Sequence, residues 1–195
     1  MYDSSKNATI LTQALMDKQQ KLEQIAKEIE RCRLCKKDKL GKAVPGEGSP
    51  NAKIVFIGEA PGREEAKTGR PFVGRSGQLL RKLIREVGLR EEEVFITSPV
   101  KYLPKRGTPT KADIKHGREH LLKQLVIIDP QILVLLGNVA VQGVLGQSLS
   151  VIKEHGNVTE KDGRKYLVTL HPAAALRFPR LETLLFADFQ KLKLR

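Results

Sequence analysis

Short apolar runs alternate with helical stretches along most of this 195-residue sequence, and that alternation limits the folds open to it. Four of the runs lack polar alternation and are rich in β-branched residues, which is typical of strands covered on both faces. These runs are KIVFIG, EVFIT, QILVLLG and KYLVTL. Strands of this kind, separated by helices, form a parallel sheet between two helical layers. The sequence therefore predicts a three-layer α/β/α fold around a central four-stranded, mainly parallel sheet.

Helices are predicted around these strands wherever apolar residues recur at helical spacing. The predicted helices cover about residues 12–31, 77–87 and 111–128, a stretch that begins at Asn138, and about residues 181–194. The last strand is predicted at Lys165–Leu170, paired with the Val151–Val158 region around a Lys-Asp-Gly turn. Since no repeat or low-complexity segment interrupts the chain, residues 1–195 are predicted to form one domain.

The charge balance points to a polyanionic partner. The chain has 35 Lys and Arg against 22 Asp and Glu, a net charge of +13. Such an excess favours nucleic acid, which is bound through phosphate neutralisation, although a basic solvated surface is the alternative. Both cysteines lie in one CRLC segment, which excludes a disulfide scaffold. Since no secretory signal and no apolar run of about 18 residues is present, we expect a cytoplasmic protein that does not enter a membrane. We expect it to be a monomer. Its expected partner is a nucleic acid, and charge alone does not distinguish DNA from RNA.

The loops that follow three of the predicted strands contain the residues best suited to a site. These loops begin GEAPG, SPVKYLPK and HPAAALR. In open α/β sheets, ligands bind beyond the carboxyl ends of the strands. The three loops are therefore predicted to meet on one rim of the sheet.

The first loop, GEAPGREEAKTGRPFVGRSGQLL, combines repeated glycines with charge and a single phenylalanine. Its glycines allow a ligand to approach the backbone, and Arg75, Ser76 and the N–H groups of the following helix could hold a phosphate. Phe72 could stack on a base, or it could simply anchor the loop to the core. The loop lacks the Gly-Lys-Ser/Thr of a Walker motif and is not a dinucleotide fingerprint.

His171 directly follows the last strand. A histidine there can donate a hydrogen bond to charge that develops on a leaving group, unless its role is structural. The small residues after it, among them Ala173, suit a backbone that enters a DNA groove. Leu176 would then be an apolar wedge beside Arg177; the alternative is an ordinary loop.

Together these segments resemble the uracil-DNA glycosylase superfamily, most closely its family 4, the thermostable iron–sulfur type. The resemblance rests on GEAPGREE, GRPFVGRSGQLL, PVKYLPKRGTPT, HPAAALR and CRLC followed by AVPGEG, and it runs from about Leu22 to Leu194. It implies an enzyme that flips a damaged nucleotide out of DNA and breaks its glycosidic bond.

The resemblance also implies roles for particular residues. Gly58 and Ala60 would cup the base with Glu59 near it, and Phe72 would stack on it. Ala60 stands where the most familiar uracil glycosylases have a water-activating aspartate, and family 4 shares this alanine. Glu65 would place or polarise water, and His171 would hydrogen-bond the uracil carbonyl oxygen as negative charge builds there. DNA contacts are expected from residues of the same loops: Arg75, Ser76, Lys101, Lys105, Arg106, Ala173, Leu176 and Arg177.

One departure from the family pattern concerns base recognition. Family 4 members usually carry an asparagine after the second strand, and this chain has Ser98 there. A hydroxyl cannot reproduce the fixed donor–acceptor pair of an amide. Losing such a paired contact costs ~1–3 kcal/mol, which puts strict uracil specificity in question.

The second departure concerns the family's four-iron, four-sulfur cluster. Cys32 and Cys35 match its first two cysteines, but Tyr102 and Gly117 occupy the later two positions. Two thiolates cannot hold an ordinary cluster of this type. His116 and His120, four residues apart on a predicted helix, could complete a Cys2His2 zinc site. The alternative is a relict thiol pair with two solvated histidines.

Four functions remain open from the sequence. The first is excision of uracil despite Ser98, in base excision repair. The second is excision of another damaged base. The third is a DNA-binding relative with little catalysis, and the fourth a hydrolase or binder of small nucleotides. The combination of Phe72, Glu65 and His171 favours an active glycosylase.

Overall fold

The computed structural model describes residues 4–193, with side chains from Asp17 onward. Nine α-helices lie within this part of the chain: α1 (Ser4–Arg31), α2 (Arg33–Lys36), α3 (Arg63–Thr68), α4 (Arg75–Glu86), α5 (Lys111–Ile128), α6 (Asn138–Leu145), α7 (Val151–Glu154), α8 (Pro172–Arg177) and α9 (Arg180–Gln190). The same residues form eight strands: β1 (Lys39–Leu40), β2 (Glu47–Gly48), β3 (Ile54–Ile57), β4 (Phe95–Thr97), β5 (Leu103–Pro104), β6 (Ile132–Leu136), β7 (Val158–Lys161) and β8 (Arg164–Thr169).

The main sheet confirms the predicted fold class and adds two edge strands. In the described residues its order is β2-β4-β3-β6-β8-β7. The four predicted strands are the four central ones, and they run parallel to one another. Antiparallel β2 and β7 extend them at the two edges. Neither edge strand has an apolar pattern, since β2 is Glu-Gly and every residue of β7 is exposed.

The core fills both faces of the central strands. Every residue of β3, β4 and β6 is buried, because helices cover the parallel sheet on its two sides. A smaller apolar cluster lies where α1, α2 and the segment before β5 meet, and its buried members are Ile25, Ile29, Cys35 and Tyr102. Among residues 4–193, no helix is both long and apolar enough to cross a membrane.

The register of the parallel strands aligns the carboxyl ends of β3, β4, β6 and β8 at one edge of the sheet. Ile57, the last residue of β3, pairs with Thr97 at the end of β4 and with Leu135 of β6. Leu136 in turn pairs with Thr169 at the end of β8. The loops after β3, β4 and β8 therefore leave the sheet on the same rim, as the sequence predicts.

Two predicted boundaries are wrong. The partner of β8 was placed over Val151–Val158, but α7 occupies the first part of that range and β7 begins only at Val158. The hairpin closes through Asp162 and Gly163, both with positive φ, which is the backbone that a tight two-residue hairpin turn requires. The final helix, predicted over 181–194, ends at Gln190, and residue 194 lies outside the described residues.

Candidate active site

A small hollow opens on the rim where the loops after β3, β4 and β8 converge. Its volume is about 110 Å³. Its lining residues come from these loops, from the start of α4 and from the segment before β2: Val44, Ala60, Pro61, Gly62, Glu65, Pro71, Phe72, Ser76, Ser98 and His171. Six predicted site residues that lie far apart in the sequence, among them Phe72, Ser98 and His171, are thus brought together.

Phe72 is held in an unusual backbone conformation. Its φ is +52°, in the left-handed region that side chains rarely adopt, and the residue is only 8% exposed. Two glycines make room for it. A Cβ on Gly58 would lie 2.5 Å from Cζ of the ring, and one on Gly77 would lie 2.0 Å from the Phe72 carbonyl carbon. The glycines of this loop therefore serve close packing around the aromatic ring.

Glu65 fixes the loop that contains Phe72. Its Oε1 accepts hydrogen bonds from the backbone N–H groups of Val73 (2.8 Å) and Gly74 (2.7 Å). Its Oε2 accepts one from Gly62 N–H at 3.1 Å, at the start of α3. Since the carboxylate is 8% exposed and charge-assisted bonds of this kind are strong, it ties two segments of the rim together.

His171 caps α8 and is held in one tautomer. Its Nδ1 accepts a hydrogen bond from Ala173 N–H at 3.1 Å, so the proton of the neutral ring is on Nε2. Removal from water lowers the pKa of His171 to about 4, which keeps the imidazole neutral at physiological pH. Its ring centre lies 5.9 Å from that of Phe72, at an interplanar angle of 28°. The hollow is thus lined by a neutral hydrogen-bond donor beside an aromatic ring.

Ser98 lines the same hollow but has its proton committed elsewhere. Its Oγ donates to the carbonyl oxygen of Val100 at 2.8 Å. The lone pairs of Oγ therefore remain available to a ligand, whereas its hydrogen does not. Ser98 can act as an acceptor toward a base in the hollow.

Glu59 and Gly58 are not among the residues that line the hollow. Glu59 is half-buried, and removal from water raises its pKa above the ordinary value. Gly58 contacts the ring of Phe72. Ala60, the third residue of the motif, does line the hollow.

Comparison with known proteins matches most of the chain to one family. Residues 45–192 match the Uracil DNA glycosylase superfamily. The chain belongs to this superfamily. Its similar relatives include a protein named type-4 uracil-DNA glycosylase from Saccharolobus solfataricus, 41% identical over 88% of this chain and 85% of the relative. Proteins of the same name from Sulfurisphaera tokodaii and Thermotoga maritima are 39% and 38% identical, each over 88% of this chain and over 83% and 93% of the relative. The chain is therefore a family 4 member.

The residues expected to contact DNA fall into two places on this family 4 protein. Arg75 and Ser76 begin α4 beside the hollow, with Arg75 exposed. Ala173, Leu176 and Arg177 lie on α8, which His171 caps, and all three are exposed. Lys105 and Arg106 are exposed too, but they line a separate groove together with β1 and the start of α5. The hollow and this groove are distinct parts of the surface.

Lys101 is a correction to the sequence prediction. It was expected to contact DNA, but the residue is 2% exposed and its ammonium lies inside the protein. Nζ donates to Thr97 Oγ1 (2.7 Å), Gln124 Oε1 (2.8 Å) and Pro45 O (3.0 Å). Removal from water lowers the pKa of Lys101 to about 7. The side chain braces the segment before β2 instead of reaching a phosphate.

Sequence reasoning missed several contributors to the rim. Val44, Pro61 and Pro71 line the hollow with apolar surface. Val44 lies in the AVPGEG segment that carries the family resemblance, so its motif was visible although its role was not. Phe178, just after α8, is 46% exposed and lies under the guanidinium of Arg177, 5.4 Å from the ring centre. A phenylalanine beside arginines, two residues after Leu176, was the sequence signal that could have identified it.

The two cysteines and two of the histidines form a second group, which we call the Cys/His group. Cys32 and Cys35 lie at the α1–α2 junction, and His116 and His120 lie on α5. One ligand atom from each of the four lies within 4.8 Å of the other three, so the group could bind a metal ion. Cys32 Sγ and His116 Nε2 are already 3.1 Å apart.

The residues around the Cys/His group do not fit the family's cluster. Tyr102 is 4% exposed and packs against Cys35, Ile25 and Ile29, filling one cysteine position with its ring. At Gly117 a Cβ would lie 2.0 Å from the carbonyl oxygen of Pro99, so the backbone leaves no room there for a cysteine side chain. Cys32 and Cys35 are therefore without the two further cysteine ligands that a four-iron, four-sulfur cluster requires.

Proposed function

We propose that this protein is a uracil-DNA glycosylase. It hydrolyses the N-glycosidic bond between deoxyribose and a deaminated base, uracil foremost, as the first step of base excision repair. The names of its family 4 relatives support this proposal. The observation that carries it is the hollow in which Phe72, Ser98, Glu65 and His171 meet.

The size of the hollow suits one extruded base. At about 110 Å³ it is far smaller than the roughly 300–1,000 Å³ of pockets that take drug-sized ligands. A base inside a duplex cannot reach such a recess, so it must be flipped out of the stack. We propose that the exposed Leu176 on α8 fills the gap that the base leaves and that Phe72 stacks on the base with its ring face.

The leaving base is stabilised by His171. Cleavage of the C1′–N bond leaves the electron pair on the base, and negative charge spreads to its carbonyl oxygen. Nε2–H of His171 donates to that oxygen, and because the ring is neutral and held by Ala173 N–H, the donor needs no rearrangement during the reaction. Water then adds to C1′, and its proton ends on the released base.

The sugar becomes cationic as the base leaves, and Glu65 supplies the opposite charge. Its Oε1 already accepts two backbone N–H groups, whereas Oε2 accepts one and keeps a lone pair for a proton of the attacking water. Glu59, half-buried and next to Ala60 in the chain, adds a second carboxyl group near the base. In this scheme Glu65 both positions the Phe72 loop and polarises water.

Ser98 favours a wider choice of base than an asparagine would. The free lone pairs of Ser98 Oγ can accept a hydrogen bond from the ring N–H of uracil. Because the Ser98 hydroxyl already donates to Val100 O, it cannot donate to the second carbonyl oxygen of the base. The bases hypoxanthine and xanthine also carry a ring N–H. We therefore propose uracil as the main substrate and these deaminated purines as weaker ones, where the hollow can widen.

DNA is held by the basic surface around the hollow. The net charge of +13 supports binding through phosphate neutralisation, and Arg75 with the N-terminus of α4 is placed for a phosphate next to the flipped nucleotide. Residues of one chain are sufficient to form the hollow, and we propose that the protein acts as a monomer. A DNA substrate places that action inside the cell, at the nucleoid.

The test is base release from defined oligonucleotides. The purified protein is incubated with single-stranded and duplex DNA that carries one uracil, hypoxanthine, xanthine, thymine or cytosine, and abasic sites are then cleaved with alkali. We expect strong cleavage at uracil, weaker cleavage at the deaminated purines and none at thymine or cytosine. A parallel reaction with deoxyuridine monophosphate tests the small-nucleotide alternative. A folded protein that binds these DNAs but releases no base from any of them would overturn the proposal in favour of a DNA-binding module.

A further inference from the structure

We propose that Cys32, Cys35, His116 and His120 bind one zinc ion, in the place where family 4 members hold an iron–sulfur cluster. This inference concerns the Cys/His group, not the hollow, and it does not depend on which base the protein excises. It stands on the geometry of the four side chains, on an unpaired buried nitrogen and on the chemistry of the donor set.

The distances suit a single ion. Tetrahedral zinc with Zn–N near 2.0 Å and Zn–S near 2.3 Å places its ligand atoms roughly 3.3–3.8 Å from one another. The four ligand atoms here lie within 4.8 Å of one another before any ion is present. A closure of about 1 Å completes the tetrahedron. In a cluster the ligands bind different irons and must stand farther apart, so the compact arrangement argues against one.

The local backbone already has the form of a metal-binding turn. Cys32 is the N-cap of α2, and its Sγ accepts a hydrogen bond from Cys35 N–H at 3.4 Å. Backbone N–H groups that point at a cysteine sulfur stabilise the thiolate form that a metal needs. On α5 the two histidines are one helical turn apart and thus share a face. Two residues from each element therefore point into one space.

His120 supplies an independent sign of a missing ligand. The residue is 8% exposed, and its Nδ1 is buried with no hydrogen-bond partner among the described residues. A buried ring nitrogen left without a partner is costly, and native structures contain few of them. Coordination of a metal by this imidazole accounts for its burial beside two sulfurs.

The donor set selects zinc over other common ions. Two thiolates and two imidazoles in a tetrahedron are a structural zinc set, and magnesium or calcium would require oxygen ligands. With all four positions taken by protein atoms, the ion is closed to water and to substrate. The ion is therefore structural rather than catalytic.

Zinc would join two parts of the chain that are distant in sequence. Cys32 and His116 are 84 residues apart, and α1 with α2 packs on α5 around only a small apolar cluster. A metal that closes such a long loop stabilises the folded state, because it binds the folded chain and scarcely the unfolded one. Such an ion would hold the α1–α2 junction against α5.

Metal content of the full-length protein is the first test. Protein produced in medium containing both zinc and iron is analysed for metals and acid-labile sulfide and is inspected for visible absorption. We expect about one zinc per chain, little iron and no colour. After removal of the metal, added cobalt(II) should give the intense visible bands of a tetrahedral site with thiolate ligands. Iron and sulfide in stoichiometric amounts, octahedral cobalt bands, or no binding of either ion would each overturn the proposal.

Variants assign the ligands. His116→Gln and Cys32→Ser should lower the bound zinc to less than about one tenth per chain. His155→Gln, the same change at a histidine outside the group, should leave one zinc per chain. A chelator should lower Tm of the wild type and of the His155→Gln protein and leave that of the ligand variants unchanged. Full zinc content in His116→Gln would remove His116 from the site, and the cobalt titration of the wild type remains decisive where a variant fails to fold.

Discussion

The hollow and the Cys/His group are both built from buried polar side chains, but only the hollow is complete without a ligand. Glu65 binds three backbone N–H groups, His171 one, and Ser98 a carbonyl oxygen. In the Cys/His group, Nδ1 of His120 has no partner in the part of the chain that the structure describes. The protein chain alone holds the side chains of the hollow in place. The side chains of the Cys/His group need a metal ion to complete their contacts.

The difference follows from where each set of residues lies. The residues of the hollow follow parallel strands whose register fixes the loops, and the loops supply N–H groups and carbonyls to hold the side chains. The Cys/His group lies between helices, whose backbone groups are already paired within each helix. Among the described residues, Cys35 N–H donates to Cys32 Sγ and His116 Nε2 lies 3.1 Å from the same sulfur, but Nδ1 of His120 is left for a ligand.

Removal of the leaving-group donor should have the largest effect. His171→Ala deletes Nε2–H while the remaining rim keeps its own hydrogen bonds. Single-turnover excision of uracil should fall by about 10²–10³-fold, the usual cost of losing one such donor. The measurement is the rate at saturating enzyme.

His155→Ala, the same change at a histidine outside the hollow, is the control and should keep nearly the full rate. A His171→Ala protein with unchanged chemistry would show that the hollow is organised for binding but not for catalysis. The hollow could then no longer be distinguished from the Cys/His group as the catalytic site of the protein.

The next largest change should be one of selectivity. Ser98→Asn restores an amide at the hollow, with a donor for the second carbonyl of uracil and an acceptor for its ring N–H. A paired contact of this kind is worth about 1–3 kcal/mol, so kcat/KM for uracil relative to hypoxanthine should rise about 10-fold or more. The ratio is measured with matched oligonucleotides.

Ser98→Ala tests the opposite direction, because it removes the acceptor and also leaves Val100 O without its donor. Its uracil activity should fall below that of the wild type. A ratio that stays the same in both variants would show that position 98 does not contact the base.

The third prediction concerns thermal stability, which should depend on the hydrogen bonds that Glu65 accepts from the rim. Glu65→Gln replaces two accepting oxygens by one and turns an NH2 group toward backbone N–H donors. Leaving buried N–H groups unpaired costs about 1–3 kcal/mol each. For a chain of this length that lowers Tm by roughly 2–12 °C, measured by thermal unfolding.

Glu64→Gln, one residue away, is the control for Glu65→Gln. Glu64 is exposed and pairs only with Lys67, so its Tm should hardly change. Equal loss in the two variants would mean that charge, rather than the three hydrogen bonds, accounts for the effect.

The smallest expected effect is a pH dependence of stability from Lys101, which lies between the two regions. Its pKa is lowered to about 7 in the folded protein, against about 10.4 in an unfolded chain. Between these values the unfolded state binds more protons, so this lysine makes stability rise with pH from about 7 toward 10, by on the order of 1 kcal/mol per pH unit. Below pH 7 both states are protonated and the penalty of the buried charge is full.

Lys101→Met should remove this slope, as measured by urea unfolding at pH 7 and pH 9. Lys105→Met, at an exposed lysine, should keep it. If wild type and Lys101→Met show the same slope, Lys101 stays ionised in the fold and the hydrogen bonds to Thr97, Gln124 and Pro45 hold a charge.

The rim was predictable because strand periodicity and strand order need only local sequence. Phe72, Ser98 and His171 follow apolar runs, and parallel strands deliver such residues to one edge. The prediction failed where burial depends on distant partners. Lys101 has the sequence context of a DNA-contacting loop, yet Gln124 from α5 and Pro45 from the segment before β2 enclose it. The edge strand β2 was missed and β7 was placed too early in the chain for a similar reason, since pairing with a neighbour defines these strands and their own residues do not.

Patterns along the chain were enough to predict the parallel sheet, the family and the residues on the rim, because these depend on what neighbouring residues impose on the backbone. The folded structure was needed for the protonation of His171, for the hydrogen bonds of Glu65 and Ser98, and for the distances that bring the four candidate ligands Cys32, Cys35, His116 and His120 within 4.8 Å of one another. Burial and hydrogen bonding are relations between segments far apart in the chain. Burial and hydrogen bonding of these side chains are therefore defined only in the folded protein, once the core has packed.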